Sequence, residues 1–160
     1  MIRKTIPADT PTLVTMTEAT GVFKDLEIKA LQEVLDDFHA ENHAYRHQCV
    51  TYEENGKVLG FAYFAPAEMT DRTWYLYWIA VQKQTQAKGV GGRLLQYIEE
   101  AVRNAGGRIL LIETSSLPHY DLTRRFYLKN GYDQEARIRD YYADGDDLIV
   151  FRKRLAGPAS

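Results

Sequence analysis

Apolar residues along the chain follow two periods. Leu26, Ala30, Leu31, Val34, Leu35 and Phe38 recur at three- and four-residue steps, which predicts an amphipathic helix over residues 24–41. Leu94, Leu95, Ile98, Ala101, Val102 and Ala105 repeat that spacing, and Gly106-Gly107 closes the helix. Upstream, Asp9 or Thr10 is placed to cap another helix with Pro11 in its first turn. A shorter helix is expected over 121–130, closed by Gly131.

Strand patterns fill the remainder. Residues 2–6 alternate polar with apolar and stop at Pro7. Residues 48–53 and 57–65 flank Glu54-Asn55-Gly56, and Asn-Gly between β-rich runs predicts a hairpin. Residues 73–81 are apolar and aromatic throughout, as in a strand covered on both faces. Residues 108–114 read as another buried strand, and 132–140 with 147–154 as an antiparallel pair. The order β, α, α, β, β, β, α, β, α, β, β predicts an α/β fold of the α+β type. Its central sheet is mixed and mostly antiparallel, of about seven strands, with one parallel β-α-β unit expected to cross over right-handed and about four flanking helices.

Composition narrows the class. The 160 residues are 45% hydrophobic and 26% charged with a net charge of −2, which suits one domain over residues 1–155 and a flexible tail over 156–160. A near-neutral balance argues against broad nucleic-acid binding, which wants a strongly basic face. No run reaches the length of a membrane span and no signal peptide is visible, so neither a membrane nor a nucleic acid is an expected partner. The single cysteine, Cys49, excludes a disulfide framework and fits a reducing, cytoplasmic setting.

The segment richest in chemistry is Gln86-Ala87-Lys88-Gly89-Val90-Gly91-Gly92-Arg93, between the aromatic strand and the next helix. Glycine there permits unusual backbone angles and leaves room for a ligand, while a helix start offers unpaired N–H groups to an anion. Lys88 and Arg93 are placed to add side-chain charge to that anion. Gly92-Arg93-Leu94 lacks the Lys and Ser/Thr of a P-loop, and Leu94 stands where a dinucleotide fingerprint needs its third glycine. The alternative is a tight strand-to-helix connection without a ligand.

Two motifs together resemble the GNAT superfamily of N-acetyltransferases. Ile79-Ala80-Val81 followed by Gln86-Ala87-Lys88-Gly89-Val90-Gly91 is similar to that family's strand and Gln/Arg-x-x-Gly-x-Gly/Ala turn. Phe126-Tyr127-Leu128-Lys129-Asn130-Gly131-Tyr132 is similar to its second motif, and the order of elements agrees across nearly the whole chain. The resemblance implies acetyl-coenzyme A as co-substrate and an amine as acceptor, on a small molecule or a peptide or protein, without metal. It implies that the backbone of Ile79, Ala80 and Val81 holds the pantetheine arm. It further implies that backbone N–H groups of Gln86, Ala87, Lys88, Gly89, Val90, Gly91, Gly92 and Arg93 hold the pyrophosphate. Tyr127 matches the residue that protonates the departing thiolate, and Tyr120 stands where many relatives place an Asn that contacts pantetheine. Tyr120, Thr123 and Tyr127 share one helical face, expected to look into the cleft, with Leu122 and Phe126 in the core. Homodimers are common among such proteins.

Direct transfer requires a neutral amine. At pH 7 a lysine-like amine is neutral in only about one molecule in 2,500, a deficit of roughly 4–5 kcal/mol that a base must offset. Residues 73–81 contain no carboxylate, so Glu113 is the leading candidate, with a water relay through Tyr75 or Tyr77 as the alternative. A non-catalytic acyl-coenzyme A sensor would keep the glycine turn and lack a working acid and base. His39, His43 and His47 recur every four residues without a third ligand type, so no metal site is expected. Asp140, Asp144, Asp146 and Asp147 read as a solvated turn, or as a rim that attracts a cationic amine.

Overall fold

The computed structural model describes residues 1–156, with Gln86 and Ala87 described by their backbone alone. The strands are β1 (Ile2–Lys4), β2 (Gln48–Glu54), β3 (Lys57–Pro66), β4 (Thr73–Val81), β5 (Ile109–Ser115), β6 (Asp133–Ala143) and β7 (Asp146–Arg154). The helices are α1 (Thr10–Ala19), α2 (Asp25–Ala40), α3 (Val90–Asn104) and α4 (Asp121–Lys129). The seven strands are ordered β1-β2-β3-β4-β5-β7-β6, and only the β4–β5 ladder is described as parallel. Of the expected tail, residues 157–160 lie outside the described residues. No helix among the described residues is long and apolar enough to cross a membrane.

The chain forms two compact units, Met1–Ala65 with Tyr77–Ile98, and Pro66–Leu76 with Glu99–Ser160. In the first, Asn55 and Gly56 both take positive φ, 52° and 75°, so the β2–β3 turn has the handedness that suits strand twist. Leu13, Met16, Leu31, Leu35 and Phe38 from α1 and α2 pack on Cys49, Phe61, Tyr63 and Ala80 of the sheet. Arg3 anchors the first strand, donating to both Asp9 carboxylate oxygens at 2.8 and 2.9 Å and to Glu53 at 3.2 Å. Gly60 lets α3 approach closely. A Cβ there would lie 3.0 Å from the Ala80 carbonyl oxygen and 3.0 Å from Leu94 Cδ1. That approach seats the first turns of α3 against the end of β4.

In the second unit both helices stop in the same way. Gly106, at φ 83°, donates to Arg103, and Gly107 donates to Val102. Gly131, at φ 87°, donates to Leu128, and Tyr132 donates to Tyr127. Each is the paired closure that a left-handed glycine permits at a helix end. The second closure brings Tyr132 back beside Tyr127.

Two expectations about faces are corrected. On β4, Trp74 and Leu76 are buried but Tyr75 is only half-buried and Tyr77 is 51% exposed, so the strand is not covered on both faces. On α4 the expected stripe is reversed, with Leu122 77% exposed and Tyr127 2% exposed. The cause is packing: the Tyr127 ring meets Tyr132 at 5.9 Å and Phe151 at 5.6 Å. Arg124, on the same inner side, donates to the carbonyls of Ser115 and Leu117. A nine-residue helix has room for one inner stripe, and this one is taken by 124 and 127.

The tightest glycine is Gly107. A Cβ at that position would fall 2.3 Å from Val102 Cγ1 and 2.9 Å from Trp74 Cδ1. Gly107→Ala is expected to cost about 1–3 kcal/mol through overpacking, read as a lower urea midpoint at unchanged slope. An unchanged midpoint would show that α3 and Trp74 yield without cost.

Candidate active site

The segment entering α3 runs as a 3-10 turn over Lys83–Lys88, then Gly89 at φ 77° redirects the chain into the helix. A bulkier residue resists that angle. Arg93 N–H donates to the Gly89 carbonyl at 3.1 Å, the first bond of the helical ladder. The N–H groups of Val90, Gly91 and Gly92 precede the ladder and have no intrahelical acceptor. Among the described residues a Cβ at Gly92 would meet nothing within 4 Å, so none of them calls for glycine there. The first-turn amides at the positive end of a 15-residue helix suit a phosphate.

Arg93, on the first turn of α3, is bonded within the chain. Its guanidinium donates to the Tyr52 hydroxyl at 2.6 Å and to the Lys88 carbonyl at 3.3 Å, which braces the turn. Lys88 itself is exposed. Of β4, Ala80 and Val81 are buried and Ile79 is half-buried. The parallel ladder pairs Thr73, Trp74, Tyr75 and Leu76 with Ile109, Leu110, Leu111 and Ile112.

The second unit supplies titratable groups. Burial raises the Tyr127 phenol far above its ordinary value, and neighbouring Tyr120 raises it further, so this hydroxyl stays protonated at neutral pH. Tyr120 ends the 3-10 turn Pro118–Tyr120 and caps α4, its ring 4.9 Å from that of His119. Thr123 is half-buried. Glu113 sits on β5 opposite Val150, and burial raises its carboxyl above the usual carboxylate value. Burial also raises Tyr75, to which Glu113 and Tyr141 contribute. The part taken by Tyr141 escapes a sequence reading because the register of β6 shifts between Ile138 and Ala143.

Other candidates are consumed by the fold. Asp147 accepts from Arg137 at 2.6 Å and from the Asp140 N–H, Asp140 accepts from the Gly145 N–H, and Asp146 accepts from the Ser115 hydroxyl. Asp140 and Asp147 therefore tie the β6–β7 end together, and Asp146 ties it to the end of β5. His43 pairs with the Phe38 carbonyl and His47 with the Tyr63 hydroxyl at 2.6 Å. Among the described residues no group of three His, Cys, Asp or Glu could hold a metal ion.

Residues 45–134, which span β2 to the start of β6, match the model of the acetyltransferase (GNAT) domain. The chain belongs to the GNAT family of acetyltransferases. The structure of a candidate GNAT acetyltransferase from Desulfovibrio desulfuricans is 35% identical, with a TM-score of 0.93 over 98% of this chain and 99% of that one. An aminoglycoside 6′-N-acetyltransferase solved with coenzyme A is 18% identical and shares the fold, with a TM-score of 0.82 over 100% of this chain and 99% of that one. An uncharacterized N-acetyltransferase of Methanocaldococcus jannaschii is 29% identical over 105 residues, 64% of this chain and 63% of that protein's length. For this GNAT chain the mixed sheet with one parallel pair and four helices is thus the family fold.

The electrostatics of Glu113 give a test within the apo protein. Its folded pKa lies above the unfolded value, so the charged form is disfavoured by folding at neutral pH, and the penalty vanishes below the unfolded pKa. An NMR titration is expected to place its midpoint above 4.5. Glu113→Gln should stabilise the fold at pH 7 and lose that advantage at acid pH. A midpoint at or below the ordinary value would remove the desolvation account.

Proposed function

We propose that the protein moves an acetyl group from acetyl-coenzyme A directly to a primary amine, on a small molecule or on a peptide or protein. The carrying observation is the first turn of α3, where Gly92 keeps space clear beside amides that lack helical acceptors. In this reading the backbone N–H groups from Gln86 to Arg93 hold the diphosphate, and Arg93 keeps their turn in shape through Tyr52. The backbone of Ile79, Ala80 and Val81 holds the pantetheine arm. Tyr120 and Thr123, at the start of α4, border the same arm.

The donor supplies a thioester carbonyl activated toward nitrogen. Glu113 accepts a proton from the acceptor's ammonium group, which frees the nitrogen lone pair. The C–N bond forms as the C–S bond breaks, the nitrogen sheds its remaining surplus proton, and Tyr127 delivers one to the departing thiolate. The phenol is re-protonated and Glu113 returns its proton to water, so the net release is one proton per turnover. A raised Glu113 carboxyl is a better base than an ordinary one, and a buried phenol is protonated at any physiological pH. No enzyme nucleophile is required, and Cys49, buried with its thiol pushed up to about 12, is unsuited to be one.

The rival reading is an acyl-coenzyme A sensor that binds and does not transfer. Free thiol released from acetyl-coenzyme A in an amine-dependent manner separates the two, and binding without release across a broad amine panel would favour the sensor. Tyr127→Phe is expected to lower kcat at least ~10²-fold with acetyl-coenzyme A affinity unchanged. An unaltered kcat would remove the acid role. Gly92→Ala should leave thermal stability equal or higher, because alanine suits a helix better by about 0.5–1 kcal/mol. The same change is expected to weaken acetyl-coenzyme A binding at least ~10-fold by filling the cleared space. Unchanged binding by calorimetry would sink the diphosphate assignment.

A further inference from the structure

Glu99 is a buried acid that the proposed chemistry does not use. It lies on α3 within the second compact unit and is 7% exposed. Its Oε1 accepts from Lys153 Nζ on β7 at 2.8 Å, and its Oε2 accepts from the Tyr132 hydroxyl at 3.0 Å. Arg103, one turn along α3, stands 3.8 Å from Oε1. Lys153 also donates to the Asn130 carbonyl at 2.9 Å and sits 5.3 Å from the centre of the Tyr132 ring. One ammonium group therefore caps the end of α4, meets an aromatic ring and pairs with a buried carboxylate.

Tyr132 carries that anchoring to Tyr127. Its N–H donates to the Tyr127 carbonyl at 3.1 Å, and its ring meets the Tyr127 ring edge-on at 5.9 Å. Packing alone does not ask for this polarity. A phenylalanine at 132 would fill the same space, and a buried ion pair is often no more stable than apolar side chains of its size. What the hydroxyl adds is an end point, because a hydrogen bond fixes distance and angle where ring-to-ring contact is broad. Burial and Glu99 raise the Tyr132 phenol far above its ordinary value, so it remains a donor at physiological pH. Proton delivery by Tyr127 in turn requires its oxygen within hydrogen-bond reach of the departing sulfur.

We propose that Glu99, Lys153 and Tyr132 are positioning residues that fix the Tyr127 ring, and so the point at which its proton is delivered. The inference rests on the acid role of Tyr127 and adds the residues that act through it.

The test is a set of double-mutant cycles on the full chain, with acetyl-coenzyme A as donor and hexylamine as the acceptor probe. Tyr132→Phe removes one hydroxyl and keeps the ring. It is expected to lower kcat about 3- to 30-fold while KM for acetyl-coenzyme A stays unchanged. Glu99→Leu combined with Lys153→Met replaces the ion pair by apolar side chains, an exchange that folds tolerate. Its urea midpoint is expected to hold while kcat falls by a similar factor. Glu99→Gln, which keeps an oxygen for the Tyr132 hydroxyl, should lose less than Glu99→Leu. In a Tyr127→Phe background none of these changes should lower kcat further. Arg125→Gln, which breaks the exposed pair with Asp121 on the same helix, should leave kcat unchanged. Equal falls in both backgrounds, or no fall with Tyr132→Phe, overturns the positioning role. If hexylamine is not acetylated, or if Tyr127→Phe by itself leaves kcat unaltered, the positioning role is read from NMR of the Tyr127 ring, identified by its loss in Tyr127→Phe. A shifted or faster-flipping ring in Tyr132→Phe then keeps the positioning role without the acid, and an unchanged ring refutes it.

Discussion

The first turn of α3 satisfies two opposed demands. Its amides at Val90, Gly91 and Gly92 have no helical acceptor, whereas Leu94, Leu95 and Ile98, immediately after, are among the most deeply buried side chains of the chain. An open helix start stays in place only if the following turns are pinned. Gly60 allows that pinning, because without a side chain it lets Leu94 and the Ala80 carbonyl come to the distance at which a Cβ would clash. Arg93 adds the brace from Tyr52. Loss of the close approach would free the turn and with it the geometry of any anion site.

Glycines divide by cause. Gly89 and Gly106 are required by backbone angle, and Gly107 by the side chains of Val102 and Trp74. Gly92 is required by neither. A residue type kept without an internal reason points outward, toward something that approaches the main chain. Glu113 follows the same logic among charges. The exposed salt bridge of Arg125 with Asp121 and the hairpin pair of Arg137 with Asp147 neutralise each other, while Glu113 is left without a described ionic partner.

Most of the architecture is legible without coordinates. The seven strands, α2 and α4 are expected within two or three residues of where they lie, while α1 is expected by its start alone and α3 by its apolar stripe and its glycine end. Asn55-Gly56, Gly106 and Gly131 act through their own backbone angles, so the information is local. The glycine turn is legible for the same reason. Face assignments are less so. Residues 73–81 look buried throughout because Tyr and Trp count as apolar, yet Tyr77 stands half in solvent. On α4, Leu122 outranks Tyr127 in hydrophobicity, and the order of burial is the opposite.

By itself, then, the sequence determines the order of elements, the family, and the backbone device at the start of α3, since all three rest on nearest-neighbour steric rules and short periodicities. Tertiary structure alone decides which side of α4 meets Phe151, that Arg93 turns to Tyr52, that the acidic run closes a hairpin, and that Glu113 and Tyr141 both act on Tyr75. Those outcomes depend on strand register and on competition among distant side chains for the same space. Neither quantity is encoded in any short window of the chain.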